Sequence, residues 1–404
     1  MGKRLLWTAL SADQVYHSEL QHVIQGHFRT ASQPGLREIV YPGDNPYAIK
    51  LVFAKTDQLT DIEAGELLTP ELEKKLSRAV TEALLEPAGY RVHRQVFFAD
   101  HKLAGSWRYR DWFQLVPVSS TAPQLDCLFG DHPFILEVRV AASRDPGIIN
   151  LRAGRAMREA LLLLGGLAES SIHGLSARTF CGSWVTLPGV ARQPAYLYPA
   201  YPSPAPPSSD DFAAPDVRAP VIPSLDLFGI FGGNAGQPFC LPAEFAETIN
   251  RYLTLHTECR ERVLRACYWV QRANRTFTES FSQSFLAVIT VAETLMETAT
   301  ELCPTCGQNQ YRLRSSFATF LDSYVPIDQL TTRRVGHPQS FRERLKALYD
   351  SRSTITHGSD LLGRDGLAGG FVPGANTEDS DLRTLLRIMP LAVGAWVRGR
   401  QTQV

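Results

Sequence analysis

Net charge is the first thing this chain lacks: 41 Lys and Arg balance 41 Asp and Glu. No global field draws it towards nucleic acid or an acidic surface, so any RNA or DNA contact must come from a local patch. Long apolar runs are missing too. No uninterrupted stretch of about 18 apolar residues occurs, which excludes a transmembrane helix. The apolar run within residues 1–10 ends at Ser11, Asp13 and Gln14, too soon for a signal-peptide core. Cysteine is sparse and odd in number, seven scattered residues, which argues against a disulfide framework and for a reducing, cytoplasmic setting. Lysine almost vanishes after Lys102, with Lys346 alone beyond it. Basic charge there is arginine, which suits bidentate phosphate contacts, although genome composition explains the bias equally well. Internal repeats are absent.

What is present is an ordinary globular composition, 44% hydrophobic over 404 residues, enough for two or three domains. Residues 1–190 read as a mixed α/β domain. Strands are expected over 48–53, 90–98 and 134–140, the last alternating with period two. Thr69-Pro70-Glu71 opens a helix with a cap, a proline at its first position and acid in its first turn. Another helix is expected over 150–167, carrying Ala153, Ala156, Leu161 and Leu164, with a Gly165-Gly166 pair near its end. From Pro194 to Pro223 prolines recur densely, so 191–240 reads as an extended linker. Beyond it, 241–404 reads as all-helical, the whole chain as α+β. Helices are expected over 242–273, 278–302 (opened by a capping box at Thr276-Phe277-Thr278-Glu279), 311–324, 338–357 and 378–400, the last kinked at Pro390. Antiparallel helices of this length imply a bundle around one apolar seam.

One helix carries chemistry. Phe341, Leu345, Leu348 and Ile355 form its apolar stripe, and Arg352 falls inside that stripe. A charge in such a place needs a partner. His357 follows, just before Gly358, which suits a helix C-terminus. Ala292 and Glu293 on the 278–302 helix, then Tyr349, Arg352-Ser353 and His357-Gly358, resemble the HEPN superfamily, most closely its Apea-like branch from bacterial defence proteins. The resemblance covers roughly residues 241–404 and nothing before the linker. It implies a helical bundle that dimerises and cleaves RNA without metal or other cofactor, as a toxin or antiviral effector. Catalysis would fall to Arg352 and His357, with Glu293, Tyr349, Ser353 and Gly358 in support. The N-terminal domain would then sense a phage or cellular trigger.

The residue types suit that chemistry. An imidazole titrating near neutrality can deprotonate a ribose 2′-hydroxyl, and a fixed guanidinium can take up charge on the phosphorus oxygens. Five positions on a helix, however, turn two side chains about 140° apart. Arg352 and His357 converge only if the helix ends at His357, or else a second chain completes the site. A purely structural Arg352–Glu293 ion pair, with His357 as a polar cap, is the other reading of the same residues, and it makes the bundle a docking or dimerisation module.

Other motifs have plainer explanations. Cys303-Pro304-Thr305-Cys306 is half a zinc site, lacking a second close pair; His337 or a partner chain would have to complete it, and loop cysteines without metal are the simpler reading. Asp126 or Asp131 followed by Glu137-Val138-Arg139 echoes a metal-dependent nuclease, with arginine where lysine belongs. His17, His22 and His27 share neither a helix face nor a strand face and are expected to face solvent. Trp107 to Trp112 mixes aromatics with arginine, as a base-stacking surface does and as a β-hairpin edge does more often.

Overall fold

The computed structural model of this chain describes residues 16–28, 30–42, 46–53, 59–86, 89–117, 132–168, 172–174, 211–212, 218–223, 226, 238–277, 279–302, 309–325, 338–357, 361–362, 365 and 375–400. Packing divides it into two units, one of Met1–Arg94, Glu137–Met157 and Ala205–Phe212, the other of Gln95–Leu136, Arg158–Pro204 and Ala213–Val404. This partition follows contacts, whereas 1–190, 191–240 and 241–404 follow composition. The architecture is α+β, with sheets N-terminal and helices C-terminal.

In the first unit, β1 (Ser32–Gly35), β2 (Glu38–Tyr41), β3 (Ile49–Phe53) and β4 (Leu59–Ala64) form an antiparallel sheet in sequence order. Their inward residues Tyr41, Ile49, Leu51 and Ile62 share a core with Leu20, Val23 and Ile24 of α1 (His17–Gln25) and Leu76 and Val80 of α2 (Pro70–Val80). Thr69 caps α2 as its sequence predicts, its Oγ1 accepting from Leu72 N at 3.2 Å. Glu19, only 3% exposed, lies between Arg152 at 2.9 Å and Arg155 at 2.7 Å. A lone carboxylate there would be very costly.

Glu137 also departs from the nuclease reading. It is 2% exposed, and Arg94 Nε donates to its Oε1 at 2.5 Å. It belongs to a buried ion pair, with its charge already matched; Asp126 and Asp131 lie outside the described residues. His17 is exposed as expected, its ring edge-on to Phe53, while His22 and His27 are half-buried, with His22 Nε2 3.3 Å from Asp145.

A second sheet runs in the order β6-β7-β8-β5-β9, from β5 (Tyr90–Ala99), β6 (Trp107–Tyr109), β7 (Phe113–Pro117), β8 (His132–Ala141) and β9 (His173–Gly174). β6 and β7 make the expected edge hairpin, pairing Trp107 with Leu115 and Tyr109 with Phe113. Arg110 in its turn has φ 48°, a left-handed conformation that favours glycine. The aromatics serve packing: Trp107 meets Phe245 at 5.2 Å, and Tyr109 Oη donates to Asn250 Oδ1 at 2.5 Å. Within the expected 191–240 linker, the described residues 218–223 and 238–240 are not free coil. Ala219 N bonds Ser106 O, Phe239 N bonds Lys102 O, and β10 (Val221–Ile222) pairs in parallel with β11 (Leu241–Pro242).

The helices begin with α3 (Pro146–Leu167) and continue as α4 (Phe245–Thr254), α5 (Thr257–Thr276), α6 (Phe281–Leu295), α7 (Leu313–Tyr324), α8 (Pro338–Thr356) and α9 (Ala375–Gly399). The helix expected over 242–273 is broken because Leu255 and His256 adopt extended backbone. The expected capping box is not used. Thr276 closes α5, its Oγ1 returned to Arg272 O, and Ser280 caps α6 by accepting from Gln283 N. The chain over 300–302 is a strand, β12 (Thr300–Leu302), paired with β13 (Asn309–Tyr311). Cys303, Cys306 and His337 lie outside the described residues. α5 lies along α6, α8 packs on α6 and α7, and α9 packs against α4, α5, α6 and α7. Pro390 sits inside α9 without ending it.

Gly165 and Gly166 do not end α3 early; they let it approach α5. A Cβ on Gly166 would come within 2.4 Å of the Cys267 side chain, and one on Gly165 within 2.0 Å of Gln271. Gln271 Nε2 donates to Leu161 O at 2.8 Å across this contact. Alanine gains about 1 kcal/mol of helix propensity over glycine, but overpacking against helix backbone costs about 1–3 kcal/mol. Gly166→Ala is therefore expected to destabilise, with a lower urea midpoint at unchanged slope.

Candidate functional site

Glu293 stands near the end of α6, where α8 crosses it, and two donors of α8 meet its carboxylate. Tyr349 Oη donates to Oε1 at 2.6 Å, and Arg352 Nη2 donates to Oε2 at 3.3 Å. The three-residue step from Tyr349 to Arg352 places both on one face of the helix. Tyr349 is 7% exposed and lies 5.4 Å from the Phe317 ring of α7. Burial first, then its bond to Glu293, pushes the phenol well above its ordinary range, against the opposing charge of Arg352. Tyr349 therefore stays a protonated donor. Leu345, Tyr349 and Ile355 form the buried line of α8, with Leu348 only half-buried; the side chain of Phe341 lies outside the described residues.

Arg352 is open by comparison, 34% exposed against 20% for Glu293. Among the described residues Glu293 is the one side chain that accepts from the guanidinium, which leaves several N–H donors facing outwards. α8 ends at Thr356. His357 follows in a turn, its backbone N still bonded to Ser353 O at 3.0 Å. Its imidazole is exposed and has no hydrogen-bond or ion-pair partner among the described residues. Ser353 is exposed beside it, and Gly358 lies outside the described residues. Glu293, Tyr349 and Arg352 thus come together in one chain, while His357 shares no hydrogen bond with them.

Two features of this region escape sequence reasoning. The first is a second carboxylate, tyrosine and arginine cluster: Glu159 Oε1 accepts from Tyr252 Oη at 2.6 Å and from Arg260 Nη2 at 2.8 Å. Its members come from α3, α4 and α5, so no spacing announces it. The second is Asp365, beyond His357. Its carboxylate accepts from Ser282 N at 2.6 Å, Ser280 Oγ at 2.7 Å and Phe281 N at 3.0 Å, and Leu362 N donates to Ser282 Oγ at 3.0 Å. The segment after the histidine is thereby tied to the first turn of the helix that carries Glu293. An aspartate at the N-terminus of a helix also complements its dipole.

Among the described residues no group of three or more His, Cys, Asp or Glu is placed to hold a metal ion, and no helix is long and apolar enough to cross a membrane. No family model, curated protein or solved structure matches this chain.

Burial tends to raise the pKa of Asp365, but the bonds from Ser282, Ser280 and Phe281 outweigh it and hold the carboxyl below its ordinary 3.8. A pKa lowered by folding gives stability that is complete above the unfolded value and lost as pH falls through the folded one. Asp365→Ala is expected to cost about 1–2 kcal/mol at neutral pH, as loss of a helix cap does. That deficit should shrink in urea titrations repeated at about pH 3; an equal deficit at both pH values would assign it to something other than the carboxylate.

Proposed function

We propose that residues 241–404 form a HEPN-like helical bundle that acts as a metal-independent endoribonuclease, with its active site completed between two copies of the chain. The observation that carries this reading is the setting of Arg352: Glu293 accepts from its Nη2 while the side chain stays one-third exposed, and His357, five residues on at the helix end, is exposed as well. In the reaction, His357 removes the proton of a ribose 2′-hydroxyl. The freed oxygen attacks the neighbouring phosphorus and the 5′-oxygen leaves with a proton from solvent or a second acid. Arg352 takes up the charge that builds on the non-bridging oxygens, and the product is a 2′,3′-cyclic phosphate. Glu293 and Tyr349 orient Arg352, and Ser353 and Gly358 shape the turn. As an effector of this kind the protein would be a cytoplasmic toxin or antiviral defence factor, with its N-terminal sheets sensing the trigger.

Helical geometry favours a second copy. His357 N keeps the helical bond to Ser353 O, so its side chain leaves the helix about 140° from that of Arg352. One observation favours a second reading. The Glu159, Tyr252 and Arg260 cluster repeats the same three residue types elsewhere, as a structural clamp would. On that reading the bundle docks or dimerises, and Arg352 serves stability alone.

RNA cleavage measured in the presence of chelator separates the two. His357→Ala, an exposed change, should lower the rate by about 10²-fold or more, and Arg352→Ala by about 10²–10³-fold. Mixing the two inactive variants should restore activity, because a mixed dimer regains one intact Arg352 and His357 pair. Equal rates for wild type and both variants, or strict dependence on a divalent metal, would overturn the ribonuclease reading. A fall in both variants without restoration on mixing would overturn the shared site.

A further inference from the structure

In a chain without net charge a polyanion can be held only by a local patch, and α5 carries one. Between Glu261 and Glu279 the sequence has four arginines and no carboxylate. The fold uses two of them. Arg262 donates to the carbonyls of Thr294 and Leu295, and Arg275 donates to Ile172 O at 3.1 Å. Arg265 and Arg272 are exposed, and neither guanidinium has a hydrogen-bond, ion-pair or ring partner among the described residues. Glu261 lies one turn before Arg265 and does not pair with it.

The seven-residue step from Arg265 to Arg272 returns the chain to one face of the helix, about 10 Å further along its axis. Tyr268 stands between them on that face, 47% exposed. Trp269 meets its ring edge-on at 5.3 Å, which steadies it. Tyr252 and Tyr349 are buried and donate to carboxylates, whereas the Tyr268 hydroxyl has no partner among the described residues. Packing does not call for these three side chains, because Val263, Ala266, Cys267, Val270 and Ala273 supply the buried face of α5. Glu258 and Glu261, both exposed, bound the strip on its N-terminal side.

We infer that the outer face of α5 binds a single-stranded polynucleotide, with Arg265 and Arg272 on phosphates to either side of a base stacked on Tyr268. A ring between two uncommitted cations is what a single strand can use, since each nucleotide offers both a phosphate and an open base face. A duplex hides its base faces, and an acidic peptide offers charge without a ring. The strip shares no residue with Glu293, Tyr349, Arg352 and His357, so it stands or falls apart from the ribonuclease reading.

Fluorescence anisotropy of a labelled oligodeoxythymidine, titrated with the full-length protein, tests it; this strand has no 2′-hydroxyl and cannot undergo the proposed cleavage. Saturable binding is expected. Tyr268→Ala should weaken it about 5–150-fold, the worth of one stacked base, and an abasic strand of equal length should lose as much against the wild type. Replacing Arg265 and Arg272 together by alanine should lower the slope of log affinity against log salt by about 1.4, or about 0.7 for each phosphate contact. Oligouridine, offered to the His357→Ala protein, should bind equally well, because neither contact reads the sugar. All three side chains are exposed, so their variants report on binding and not on folding. Absence of saturable binding, indifference to Tyr268→Ala, an unchanged salt slope, binding of oligouridine alone, or equal binding of duplex DNA or of an oligoglutamate peptide would each overturn the proposal.

Discussion

Glu293 divides its carboxylate between two donors of one neighbouring helix, and the two bonds do different things. Tyr349 is almost fully buried, so its hydroxyl must have an acceptor; leaving it without one costs about 1–3 kcal/mol. Arg352 is one-third exposed, and an ion pair so open to solvent contributes about 0–1 kcal/mol. The crossing of α6 and α8 therefore rests on the tyrosine. The arginine is positioned at little cost to the fold and keeps most of its hydrogen-bonding capacity. A side chain that is held in place yet contributes little to stability is one a binding or catalytic site can use.

The segments around that crossing are fixed from several sides. Asp365 and Leu362 tie the chain beyond His357 to the first turn of α6, so both the start and the end of that helix bear on the site. Phe317 of α7 packs against the Tyr349 ring, and Arg314 of the same helix pairs with Asp350 at 3.2 Å. Arg344 pairs with Asp381 of α9. α8 is thus held by three helices, through hydrogen bonding, ring packing and ion pairs. At the far end of α6, Arg262 occupies the terminal carbonyls, which keeps Glu293 on a helix with both ends satisfied.

How much of this could be read from sequence depends on the range of the interaction. β8 was legible because period-two alternation is local, and α2 because Thr69 and Pro70 act within one turn. The break at Leu255 and His256 was not, since neither residue forbids a helix. The capping box failed for a related reason: Thr276 has the right neighbours, but Asp365 reaches in from a distant loop and selects Ser280 as the cap. The faint metal-site echo at Glu137 could not be dismissed from spacing, because Arg94, its buried partner, lies on another strand. At the candidate site, spacing put Leu348 on the buried stripe. The structure buries Tyr349 instead, one position on, because the acceptor for its hydroxyl is on α6. The second carboxylate cluster, drawn from α3, α4 and α5, has no local pattern at all.

The two carboxylate clusters share residue types and differ in what they leave free. In the Glu159 cluster, Tyr252 and Arg260 bond the same oxygen, and the guanidinium also lies over the Tyr252 ring at 5.1 Å. That arginine is used on its face and on its edge. Arg352 has a longer bond to its own oxygen and its ring partner is absent among the described residues, so an incoming anion meets less competition for it. A five-residue offset on a regular helix turns two side chains about 140° apart, and no hydrogen bond joins Arg352 to His357 among the described residues. His357 lies in the turn just past α8 and is exposed.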